Sequence, residues 1–127
     1  MNDPFLGLQD VPAFHVTSKD IVDGKLMDKK FMSGDFGIED GQDISPELHW
    51  TGAPSNTKSY AVTLYDPDAP TGSGFWHWAV MNIPASVEEL SQGAGSSDNA
   101  KLPPGAVQLP NDARMKKYIG CLLYTSD

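Results

Sequence analysis

The sequence predicts a single, mainly β domain, and three features carry that expectation. At 127 residues and 13.7 kDa the chain has the length of one domain. Its 12 glycines and 10 prolines recur at short intervals, which favours short strands joined by turns. No segment repeats apolar residues at helical spacing over three turns, whereas aromatic and β-branched residues gather in short runs.

Four runs read as strands, over residues 13–18, 47–50, 59–65 and 75–83. The last two are the richest in aromatic and β-branched side chains. Residues 85–92 read as a brief helix, with Ser86 as its cap and Glu88 and Glu89 in its first turn. Between the third and fourth strands lie the nine residues 66–74, crowded with turn formers and longer than a two-residue hairpin link. A loop of that length is usually shaped for a purpose. Residues 34–43 and 93–105, rich in Gly with Asp, Ser or Pro, read as surface connections.

Composition excludes several classes of function. A net charge of −8 repels a phosphate backbone, so nucleic acid is not an expected partner. The lone Cys121 rules out an internal disulfide, and there is no row of Cys and His for a structural zinc. No cofactor motif stands out: Gly93-Ala94-Gly95 lacks the third glycine of a dinucleotide loop, and Gly72-Ser73-Gly74 lacks the frame of a nucleophile elbow. The acidic start Met1-Asn2-Asp3-Pro4 is unlike a secretory signal, and no apolar run is long enough for a spanning helix, which together read as a cytoplasmic protein without a membrane span.

The chemistry concentrates around Asp66, Asp68 and His77. If residues 59–65 pair antiparallel with 75–83, the strand ends joined by the loop lie side by side and bring Asp66 within reach of His77. No Lys or Arg occurs between Lys58 and Lys101, while Asp66, Asp68, Glu88, Glu89 and Asp98 fall inside that interval. A neighbouring carboxylate favours the imidazolium and burial between Trp76 and Trp78 favours the neutral ring, so His77 can titrate near neutrality. Residue types alone leave three readings open. They are a turn whose side chains bind their own backbone beside a satisfied half-buried histidine, a proton-switching pocket, and a metal site of two oxygens and one nitrogen. His15 and His49 fall on other strands with no carboxylate in catalytic spacing.

Longer motifs narrow the choice. The string Tyr65-Asp66-Pro67-Asp68-Ala69-Pro70, followed by His77-Trp78-Ala79-Val80-Met81-Asn82-Ile83-Pro84, resembles the phosphatidylethanolamine-binding protein family in its bacterial and archaeal, Raf kinase inhibitor-like branch. The blocks Asp43-Ile44-Ser45-Pro46-Glu47-Leu48-His49-Trp50 and Gly52-Ala53-Pro54 are similar to that branch too. The resemblance implies a compact antiparallel β-sandwich with a small anion-accepting pocket at one end. It implies a non-enzymatic protein that binds a small phosphate-bearing or similar anionic ligand of lipid-headgroup type and regulates a partner kinase or protease. Asp66, Asp68, Pro70, Phe75, His77 and Gly120 match its ligand-binding positions, and the Ala69–Pro70 bond would be cis. Two alternatives stand beside it. One is a metal-assisted hydrolase using Asp66, Asp68 and His77, and the other is a pure protein-interaction module.

The resemblance runs over residues 14–120, with 1–13 as an N-terminal extension. Family members continue past Gly120 with a proline pair and a histidine-tyrosine strand. Here the chain reads Cys121-Leu122-Leu123-Tyr124-Thr125-Ser126-Asp127, so residues 121–127 read as a non-family tail and the C-terminal part of the sandwich as missing.

Overall fold

The computed structural model describes residue 7 and residues 11–34, 39–69 and 73–120. Among the described residues six strands run in chain order: β1 (His15–Thr17), β2 (Leu48–Thr51), β3 (Ser59–Asp66), β4 (Phe75–Pro84), β5 (Glu89–Leu90) and β6 (Val107–Gln108). A 3₁₀ turn spans Lys29–Phe31, capped by the Asp28 carboxylate on the Lys30 amide. The strands form two antiparallel three-stranded sheets, ordered β1-β2-β5 and β3-β4-β6. No helix of the described residues is long and apolar enough to cross a membrane.

The core lies between the sheets. Trp50 and Leu90 from the first sheet meet Trp78, Val80 and Ile83 from β4, and Ala94 and Tyr118 complete the cluster. Each large side chain buried there contributes about 1.5–3 kcal/mol. β3 alternates its exposure as a half-buried strand must, with Tyr60, Val62 and Leu64 packed against the cluster and Ala61 and Thr63 outward.

All four expected strands form, with ends displaced by no more than two residues. The expected helix over 85–92 does not. Val87 instead donates to the Pro84 carbonyl in a turn, and Glu89–Leu90 pairs with Leu48 and His49. Two contacts with Trp50 explain the recruitment: its backbone amide donates to the Glu88 carbonyl (2.8 Å), and its indole Nε1 donates to the Val87 carbonyl (3.1 Å). Eight residues cannot hold a helix against a sheet edge that satisfies their backbone and buries Leu90.

The connection 93–105 is also more than a surface link. Ala94 and Gly95 are buried, and Gly95 donates to the buried Ser45 hydroxyl at 2.8 Å. A Cβ on Gly95 would press on the Tyr118 side chain, so only glycine allows this approach.

Candidate functional site

Asp66 closes β3 and Phe75 opens β4, and the two face each other across the ladder. Tyr65 then pairs with Trp76, but Leu64 pairs with Trp78. His77 is therefore the extra residue of a β-bulge, opposed by no residue of its own on β3. The consequence shows in the burial of β4: His77 and Trp78 are consecutive yet both 1% exposed, while Trp76 is 43% exposed. A regular strand would send one of those neighbours outward. The bulge lets Trp78 fill the core while His77 turns toward the Asp66 end of the sandwich.

The imidazole packs on Phe75, with ring centroids 4.8 Å apart and planes tilted by 55°. Neither Nδ1 nor Nε2 has a hydrogen-bond partner among the described residues. Burial holds the ring below the ordinary histidine value of 6.5, against the opposing pull of Asp66, then the Ile119 carbonyl, then Asp112. The Asp66 carboxylate thus acts on the ring through its charge.

The other expected residues occupy distinct places. Asp66 is half-buried, and its Oδ1 accepts from the Asp68 amide at 2.9 Å, so the Asp-Pro-Asp turn does bind its own backbone. Asp68 is exposed on that turn. Pro70, and with it the bond to Ala69, lies outside the described residues. Gly120 is buried and its amide donates to Asp43 Oδ1 at 2.8 Å; the other Asp43 oxygen accepts from the Gly34 amide at 3.1 Å. His15 and His49 belong to the other sheet, paired with each other's strand. Among the described residues no three His, Cys, Asp or Glu side chains come together as a metal-ligand group, and Asp66, Asp68 and His77 do not form one. An apolar cavity of about 310 Å³ opens among β1, β2 and β3, lined by Phe14, Leu48, Trp50 and Tyr60, away from His77.

Sequence reasoning passed over the segment that follows β6. Leu109 donates to the Ala79 carbonyl, Asp112 exchanges bonds with the Trp76 backbone through its own amide and its Oδ2, and Ile119 donates to the His77 carbonyl. Residues 109–119 thereby line the free edge of β4 and deliver Asp112, the Ile119 carbonyl and Gly120 to the site. The same segment carries Arg114 and Lys116, both exposed, so cations absent from the sequence interval around Asp66 ride on a segment anchored at Trp76 and His77. Pro110-Asn111-Asp112, a turn-forming polar triplet after a strand-like pair, was the available clue.

A family model described as phosphatidylethanolamine-binding protein matches residues 17–123. The chain belongs to that family. Among its curated relatives, the UPF0098 protein YbcL of Escherichia coli is 55% identical over 100 residues, covering 79% of this chain and 54% of YbcL. YbhB of the same organism is 46% identical over 103 residues, covering 81% of this chain and 64% of YbhB. The chain thus spans between about half and two-thirds of the length of these relatives. The crystal structure of E. coli YbcL, described as a new member of the mammalian family, superimposes with a TM-score of 0.85 at 48% identity, over 90% of this chain and 69% of that one. A homologue of the family from Chlamydia trachomatis gives 0.69 at 26% identity, over 88% and 67%. These likenesses show the family's mainly β, antiparallel fold.

Proposed function

We propose that the chain is a non-enzymatic binding domain for a small phosphate-bearing or similar oxyanion, with Asp66, Asp68, Pro70, Phe75, His77 and Gly120 as its ligand-facing residues, and that occupancy regulates a partner protein of kinase or protease type. One observation carries the reading: a buried imidazole neither of whose nitrogens makes a well-formed hydrogen bond among the described residues, although the Ile119 carbonyl is near enough to act on the ring. A buried polar group without a partner costs about 1–3 kcal/mol, and a partner supplied from outside the chain, such as a water, an ion or a ligand, offsets that cost.

The chemistry follows from the neighbours. A neutral ring offers one N–H donor and one acceptor, and a monoprotonated phosphate offers the complementary acceptor and donor. When the ring takes up a proton it becomes a double donor with a charge opposite to the ligand's, and each bond strengthens. Asp66 accepts a proton-bearing group of the ligand, either a phosphate hydroxyl or an ammonium. The carboxylates around the ring oppose a fully ionised anion, so affinity is modest and increases as pH falls.

Calorimetric titration of phosphoethanolamine tests this with the wild-type chain and His77→Ala, each at pH 6 and pH 8. The expected result is several-fold tighter binding by the wild type at pH 6 and little binding by the variant at either pH. Equal affinity in all four titrations overturns the role of His77.

A further inference from the structure

Asn111 is 5% exposed and every hydrogen-bonding position of its amide is filled. Its Oδ1 accepts from the amides of Ala113 (2.9 Å) and Met115 (3.2 Å), and its Nδ2 donates to the carbonyls of Lys117 (2.9 Å) and His77 (3.4 Å). Its backbone closes the same turn, donating to the Met115 carbonyl and accepting from the Arg114 amide. The His77 carbonyl in turn receives two donors, Asn111 Nδ2 and the Ile119 amide at 3.1 Å. A bulge residue lacks a ladder partner of its own. Here the carbonyl of that residue is held from the other edge of β4, by one side chain and one amide from the segment after β6.

We propose that Asn111 is the positioning residue of the candidate site: its amide clamps residues 112–119 onto the bulged backbone of His77, fixing the direction of the imidazole and the approach of the Gly120 backbone. What the ring is positioned to meet rests on the oxyanion reading above, while the clamp itself does not. The groups that act on the ring are Asp66 from the end of β3 and Asp112 by charge, the Ile119 carbonyl, and Phe75 by ring contact, with Asp112 and Ile119 on the clamped segment. Two of these four depend on the clamp. Its loss lets water reach the ring and the His77 pKa returns toward the ordinary value.

Two variants divide the functions of the side chain. Asn111→Ala removes all four bonds without adding charge. Asn111→Asp keeps acceptors for Ala113 and Met115 and loses the donors to Lys117 and His77, so it carries the test if the alanine variant does not fold. Three readouts apply: hydrogen exchange of the Ile119 amide, the titration of the His77 ring by NMR (for the alanine variant, which leaves local charge unchanged), and phosphoethanolamine affinity. We expect Ile119 to exchange at least tenfold faster in both variants. The His77 pKa rises in Asn111→Ala, and affinity falls at least tenfold while near-ultraviolet dichroism persists. Unchanged Ile119 exchange and unchanged His77 titration, with only the melting temperature lowered, overturn the proposal and leave Asn111 a structural residue. If the wild type ignores phosphoethanolamine but the variants free Ile119 and shift His77, the clamp stands and the oxyanion reading falls.

Discussion

The Phe75 ring covers the His77 ring at a centroid separation of 4.8 Å, two residues apart on one strand and on one side of the sheet. This contact gives the histidine an apolar wall in place of a hydrogen-bond partner. A packed aromatic neighbour lends such a pair about 0.5–1.5 kcal/mol, but it does nothing for two buried ring nitrogens. The two ring nitrogens thus lie buried without a well-formed hydrogen bond among the described residues.

Removing those nitrogens should help the fold and harm the function. His77→Leu keeps the volume and contact with Phe75 while deleting both unpartnered nitrogens. Urea unfolding should show stability unchanged or raised by up to about 1 kcal/mol. Phosphoethanolamine binding should disappear in the same protein. A loss of several kcal/mol would mean that the ring has partners after all.

Stability should fall as pH drops below about 6.5, and His77 should account for part of the slope. Burial depresses its folded pKa below the ordinary 6.5, so between those two values the unfolded chain binds more protons than the folded one. Stability therefore rises with pH across that window and levels off above it. Comparing wild type with His77→Leu from pH 5 to 8 isolates this contribution, because the carboxylates titrate alike in both. An oxyanion that favours the protonated ring should flatten the wild-type slope and leave the variant unaffected.

Asp66→Asn should separate the turn from the charge. The amide oxygen can still accept from the Asp68 backbone, so the turn survives and stability changes by less than about 0.5 kcal/mol. The charge next to His77 is gone, and the ring's pKa should fall further below its ordinary value. An NMR titration of the ring reads this directly. A pKa that does not move would place the carboxylate outside electrostatic reach of the ring.

Gly120 tolerates no side chain. A Cβ there would run into the Met32 backbone and the Phe31 carbonyl, and neither can yield as a flexible side chain would. Gly120→Ala should cost about 1–3 kcal/mol, as overpacking does, and weaken the amide's bond to Asp43. Thermal melts and exchange of the Gly120 amide check both effects.

Much of this architecture was legible because the strands announce themselves by composition. The runs containing Tyr60, Val62 and Leu64, or Trp78, Val80 and Ile83, could hardly be anything else, and the turn formers after Asp66 marked the long link between β3 and β4. The pairing of the β3 end with the start of β4, Asp66 opposite Phe75, followed from the strand pattern. Three things were not legible, each because distant chain decides it. Val87 to Leu90 abandons helical caps for bonds to Trp50, a residue nearly forty positions earlier. The bulge at His77 arises from the whole β3–β4 register and no local residue demands it. Asn111 looks like an ordinary turn former until its amide is seen donating to the carbonyl of the bulge residue.

The central claim is that the His77 ring nitrogens await an oxyanion. The most direct measurement is the ¹H–¹⁵N spectrum of the His77 imidazole during addition of phosphoethanolamine at pH 6. The account requires saturable shifts of both ring nitrogens toward the protonated, hydrogen-bonded form, absent with ethanolamine alone. Ring nitrogens that keep their positions while ligand binds elsewhere, or while none binds, would contradict it.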